Sequence, residues 1–159
     1  MSPSMSPIDL DMVCDEYEQR WEASIDEGDT YYLPEKYQLG VLLYYFRHHE
    51  FHYATEARVL DVPLDILAAK RGTTLAIELK SGNSKRGFVQ AQRNATLVDY
   101  SFLSVWADNV TDHLTQRVAG TSVGLISVSD RVTFLSPPEQ KDKTLCTPRY
   151  IHDILNEAV

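Results

Sequence analysis

Residues 64–80, LDILAAKRGTTLAIELK, place two apolar stretches on either side of a Lys-Arg-Gly-Thr-Thr turn, and this segment limits the fold more tightly than any other in the chain. Such runs around a short glycine-containing turn predict an antiparallel hairpin. Alternate residues of a strand share a face. Leu75, Ile77 and Leu79 therefore point one way and Ala76, Glu78 and Lys80 the other; Asp65, Leu67 and Ala69 share a parity on the preceding strand. With an even turn, formed by Gly72-Thr73 or by residues 71–74, Ala69 lies opposite Ala76, Leu67 opposite Glu78 and Asp65 opposite Lys80. Opposed residues share a face, so two acids and a base converge. A three-residue loop would separate them.

That convergence has a chemical use. Neighbouring carboxylates repel unless a cation lies between them. A hard divalent ion such as Mg²⁺ binds through one or two carboxylates, several waters and substrate phosphate. It acidifies a bound water and stabilises charge on phosphoryl oxygens, while a nearby ammonium orients that water or the developing anion. Asp65, Glu78 and Lys80 in this pattern are a candidate site for phosphodiester hydrolysis, with Asp65 and Glu78 on the metal. The plain alternative is a salt-bridged patch on an exposed edge hairpin, which contributes little. The apolar character of both strands, and the helix and strands that follow, argue for a central position. Asp61 competes with Asp65 as the first acid, but it precedes Pro63 and fits the turn before the strand; the parity of Asp65 matches Glu78 and Lys80.

The rest of the chain supplies layers for a sheet. Residues 1–10 read as a loose arm without the basic and apolar regions of a signal peptide, and residues 11–159 as one domain with a helical extension over about 11–30. Val13, Tyr17, Trp21 and Ile25 form one apolar stripe in that acidic extension. EKYQLGVLLYYFR (35–47) predicts a helix buried over much of its surface, and FHYATEARV (51–59) a strand. After the hairpin come a polar loop (81–87), a helix from FVQAQRNATLVDY, a buried strand SFLSVWA, and a helix in 110–120 closed by Gly120. A strand pair then turns at Ser129-Asp130 and ends at two prolines, before a last helix in YIHDILNEAV. The order predicts an α/β fold, a central mixed β-sheet flanked by helices.

The formal charge of −8 and pI near 5.0 argue against clamping nucleic acid by overall electrostatics, so any contact needs a local basic patch or bound metal. No apolar run reaches the roughly 20 residues that span a bilayer, and Cys14 and Cys146 lack metal-ligand spacing. They read as two reduced thiols of a cytoplasmic protein.

Pro63-Leu64-Asp65 followed by Glu78-Leu79-Lys80 resembles the PD-(D/E)XK nuclease superfamily, with one residue inserted between the proline and the acid. The similarity in element order covers about residues 35–136. The resemblance implies a restriction-endonuclease-like core and a Mg²⁺-dependent nuclease, with Mn²⁺ as a substitute. Asp65, Glu78 and the backbone carbonyl of Leu79 would ligate the metal, Lys80 would position or activate water, and Gln90 (or Gln92) would complete the site from the next helix. Glu35, at the start of the first core helix, matches a further metal ligand of some members, though an acid there also suits the helix dipole. The implied substrate is DNA, branched, duplex or single-stranded, cut by a Holliday-junction-resolvase-like or repair-type enzyme. A homodimer would place two centres on two strands.

Lys85, Arg86 and Arg93 form the densest basic cluster and are candidate phosphate contacts. Arg47, His48, His49 and His52 lack an acid or cysteine to complete a metal set and read as surface or capping residues. The Tyr31-Tyr32 and Tyr44-Tyr45 pairs suit packing better than base stacking. Two further function classes stay open: a nuclease-like domain that binds nucleic acid or a protein without cutting, and a structural subunit whose acidic N-terminal helix is the working surface.

Overall fold

The computed structural model describes residues 33–80, 85–129, 132–139 and 144–157, with side chains in the first helix from Gln38 onward. The 9–27 apolar stripe, Cys14, Tyr31-Tyr32, most of the polar loop after Lys80 and the Asp130 turn lie outside these residues.

Helix α1 (Leu33–His48) is apolar on most sides; Pro34 stands in its first turn, where no intrahelical N–H is lost. Arg47 and His48 close it where positive charge suits the dipole. Strands β1 (His52–Val59), β2 (Val62–Lys70) and β3 (Thr73–Lys80) form an antiparallel meander. Helix α2 (Lys85–Asn94) crosses to β4 (Tyr100–Trp106), parallel to β3, and α3 (Asp112–Val118) crosses to β5 (Val123–Val128), parallel to β4. β6 (Val132–Ser136) returns antiparallel, Pro137-Pro138 stops it, and α4 (Pro148–Glu157) follows. The six strands lie in chain order, β1-β2-β3-β4-β5-β6. The predicted mixed sheet between helices is thus present, and β3 is interior to it. Gly120, at φ +77°, closes α3 in the left-handed conformation glycine accepts at no steric cost.

The two faces bury different partners. Ile66, Ala68, Ile77 and Leu79 pack with Val41, Leu42, Tyr45 and Phe46 of α1. On the reverse face Leu67, Ala69 and Ala76 pack with Ile151 and Leu155 of α4, while Leu103 and Leu125 meet Phe88 of α2 and Leu114 of α3. Glu78 has the parity of Ala76 and belongs to this second face. Among the described residues no helix is long and apolar enough to cross a membrane.

The hairpin register corrects the sequence expectation. Its loop is Arg71-Gly72, so Lys70 pairs with Thr73, Ala69 with Thr74, Leu67 with Ala76 and Ile66 with Ile77. The expected Ala69–Ala76, Leu67–Glu78 and Asp65–Lys80 pairs are each displaced by two residues. The cause is local: Arg71 and Gly72 have φ of +53° and +80°, the pair of positive values that a two-residue turn needs to match strand twist. A shift of two preserves every side-chain face and moves Asp65 to the level of Glu78. Arginine is a costly occupant of the first turn position. Arg71→Asn is expected to stabilise the protein by about 0.5–1 kcal/mol, read from urea unfolding.

Candidate active site

The ladder between β2 and β3 stops at Ile66–Ile77. By the alternation of antiparallel bonding, the next rung would join the N–H of Leu79 to Leu64. That N–H instead donates to Asp65 Oδ2 at 2.8 Å. The carboxylate thus replaces a rung, which anchors Asp65 against β3 beside Glu78. Asp61, the competing acid, is exposed in the β1–β2 turn at φ +64°, and its carbonyl accepts from Arg58.

Glu78 is 4% exposed, and its Oε2 has no hydrogen-bond partner. Lys80 Nζ stands 3.8 Å from Glu78 Oε1, with a quarter of its side chain exposed. The Glu78 carboxyl is raised to about 7, mainly because burial penalises its charge and then because Asp65 repels it; Lys80 and Arg93 pull it down without cancelling this. A carboxylic acid that ionises near neutrality, with an oxygen facing no donor, matches a group completed by a cation or a shared proton. Asp65, Glu78 and Lys80 are therefore brought together, as the sequence anticipates.

α2 supplies the roof. Gly87 lies on the Lys80 stem: a Cβ there would stand 2.5 Å from Lys80 Cγ and 3.1 Å from Cδ. Gln90 is three residues on, its Oε1 buried and without a partner, whereas Gln92 is exposed. Lys85 and Arg86 are exposed on the first turn of α2. Arg93 is half-buried and bonded to Asn94 and the Pro63 carbonyl instead of standing with that outer pair, and its charge favours the ionised form of Glu78. Glu35 is in the first turn of α1, but its side chain lies outside the described residues.

From the other face, fully buried Gln38 of α1 donates through Nε2 to the carbonyl of Lys80 at 2.9 Å and accepts at Oε1 from Ser104 Oγ at 2.7 Å. This bridge ties α1, β3 and β4 together where the motif strand ends. Sequence reading missed Gln38, Ser104, Gly87 and Asn94. A lone Gln heading the apolar run QLGVLLYYF and a Gly inside a helical pattern were the available signals.

The other candidates are structural. His48 meets Tyr44 edge-on at 4.0 Å between ring centroids, and His49 lies 4.2 Å from buried Tyr45. Among the described residues no group of three or more His, Cys, Asp or Glu side chains is placed to hold a metal, so any metal here relies on two carboxylates plus backbone and water. Cys146 is buried and free. A cavity of about 210 Å³ opens on the α1 face, lined by Tyr45, Phe46, Phe51, Tyr100, Phe102, Phe134 and aliphatic neighbours. It holds no acid or base and lies on the reverse side of the sheet from Glu78.

No protein-family model matches the chain, and no curated protein does. Among solved structures it is similar to the SPO1766 protein of unknown function from Silicibacter pomeroyi, at 14% identity and a TM-score of 0.57, over 79% of this chain and 83% of that one. At that identity the likeness concerns the fold alone.

Gly87→Ala is expected to act through Lys80. Overpacking should cost about 1–3 kcal/mol of stability. A larger effect should fall on any reaction that needs the ammonium, and adding Gly87→Ala to Lys80→Met should lower the rate no further. Additive losses in that double variant would contradict it.

Proposed function

We propose that the protein is a metal-dependent nuclease with a restriction-endonuclease-like core, hydrolysing DNA phosphodiester bonds at Asp65, Glu78 and Lys80. The observation that carries this reading is the unpartnered, buried Glu78 Oε2 beside a second carboxylate and an ammonium on one face of an interior strand. A buried carboxylate beside a second one is costly unless a cation completes the pair.

The residues suit Mg²⁺, or Mn²⁺ in its place: hard oxygen donors on Asp65 and Glu78, with the Leu79 carbonyl as the third expected protein ligand. When bound, the ion supplies an acidified water and neutralises phosphoryl charge. Asp65 is pre-set by the Leu79 N–H. Lys80, held at its carbonyl by Gln38 and along its stem by Gly87, directs its ammonium to the attacking water or a phosphate oxygen. Gln90 Oε1 is free to accept from that water, and Lys85 and Arg86 meet flanking phosphates.

The overall acidity is compatible with a nucleic-acid substrate once its location is considered. Nine acidic residues and one arginine fall within residues 1–32, accounting for the whole formal charge of −8, and the remainder balances at fourteen of each sign. Residues 33–159, which carry the basic groups of α2, therefore have no formal net charge of their own.

The test is incubation of the protein with branched, single-stranded and duplex DNA, with and without Mg²⁺ or Mn²⁺, beside Glu78→Ala and Lys80→Ala. Metal-dependent cutting that both variants lose is the expected result. Binding that survives both changes, with no cutting under any condition, would instead make this a nuclease-like binding domain.

A further inference from the structure

α2 brings to the start of the Asp65 segment a cation that the motif strand does not contain. Half-buried Arg93 reaches Pro63, two residues before Asp65 and of the same strand parity, and its charge also favours the ionised Glu78 carboxylate. It is held there. Its Nε and Nη2 donate to Asn94 Oδ1 at 3.3 and 3.2 Å, and Nη2 reaches the Pro63 carbonyl, at the entry to the Asp65 segment, at 3.5 Å.

Asn94 is fully buried, and its Nδ2 has no partner. A buried amide with an orphaned donor costs about 1–3 kcal/mol, whereas an apolar residue of the same shape would avoid that cost. What the side chain does in return is hold the guanidinium. An arginine presents five N–H donors in a planar fork. Asn94 takes the Nε–Nη2 edge, which leaves Nη1 for an incoming group.

Balancing Glu78 alone would not require this arrangement, because Lys80 is already 3.8 Å from Oε1. Two carboxylates and two cations cancel. A divalent ion then leaves the pocket positive, and a charged donor with Nη1 still unengaged suits a phosphate oxyanion.

We infer that Arg93 receives a non-bridging oxygen of the phosphate that is cut, and that Asn94 is the positioning residue that holds its guanidinium for this. The inference rests on the nuclease reading, and its test is built so that the two can fail separately.

The first arm uses an oligonucleotide cut by the wild type, with sulfur replacing either non-bridging oxygen at the scissile phosphate. One diastereomer should be cut more slowly in a way that exchanging Mg²⁺ for Mn²⁺ does not relieve. In Arg93→Gln that selective penalty should disappear, while kcat/KM for the unmodified strand falls by about 10²–10³. Arg93→Lys should keep part of the rate without restoring the penalty, since an ammonium has no fork. Asn94→Leu should lower the rate without lowering the melting temperature. A penalty of full size in Arg93→Gln, or an Asn94→Leu variant as active as the wild type, would overturn the assignment. The second arm needs no cutting: calorimetric titration with inorganic phosphate in the presence of Mg²⁺. Wild type should bind at least about tenfold more tightly than Arg93→Gln. Equal affinity in a protein that cuts DNA would overturn the inference and leave the nuclease reading standing, and a protein that binds phosphate through Arg93 yet never cuts DNA would overturn both.

Discussion

Lys80→Met is expected to leave a folded protein that cuts DNA about 10²–10⁴-fold more slowly, the range that loss of a positioned acid–base or charge-stabilising group produces. Methionine preserves the length and apolar character of the stem that lies against Gly87, so packing of α2 on β3 should survive. The backbone bond from Gln38 to the Lys80 carbonyl is independent of the side chain and is retained too. Single-turnover cleavage at saturating metal, with the melting temperature recorded beside it, separates chemistry from folding. A rate within tenfold of wild type would mean that Lys80 is only a salt-bridge partner of Glu78. The second hypothesis, binding without cutting, would show no cleavage in either protein and unchanged DNA affinity.

Glu78→Gln is expected to move function and stability in opposite directions. The carboxyl is raised from 4.5 to about 7 by burial and by Asp65, so the folded state holds a proton more tightly than the unfolded chain does. The sign follows from linkage: between those two values the native state binds more protons, so stability falls as pH rises through the window and stays reduced above it. The full effect is on the order of 3 kcal/mol at most. Glutamine keeps the shape and removes the charge, so metal-free Glu78→Gln should be more stable than wild type at pH 8 and nearly equal to it at pH 5. On the proposed nuclease function the same substitution removes a metal ligand, so Mg²⁺ should raise the melting temperature of the wild type at pH 8 and not that of the variant. A wild-type protein whose metal-free stability is flat from pH 5 to 8 would show that Glu78 is not strained. Stability sacrificed at a working residue is a common pattern in active sites.

Both experiments bear on a site whose parts differ in how far they could be read from the chain. Glu78 and Lys80 share a face by the two-residue period of any strand, and Asp65 joins them for any even turn, so an error of two in register did no harm. The register itself depended on which two residues took positive φ, and Arg71 is an unusual choice that turn chemistry does not foretell. Arg93 was visible as a basic residue beside Lys85 and Arg86, yet its placement comes from Asn94, its neighbour at the helix end, and from Pro63, at a strand start thirty residues before it. The link from Gln38 to Lys80 spans forty-two positions, and that from Gln38 to Ser104 sixty-six. No local pattern encodes such pairs.

The amino-acid order alone therefore determined the elements, their alternation and the faces on which two acids and a base emerge, because helix and strand periods and turn preferences act over a few residues. Packing decided the rest: a helix lowered onto a lysine stem at a glycine, an arginine turned inward by an amide, and a carboxylate deprived of water on an interior strand. Those depend on which distant segments share a volume, since burial and long-range hydrogen bonds exist only once the sheet and its helices have closed around the site.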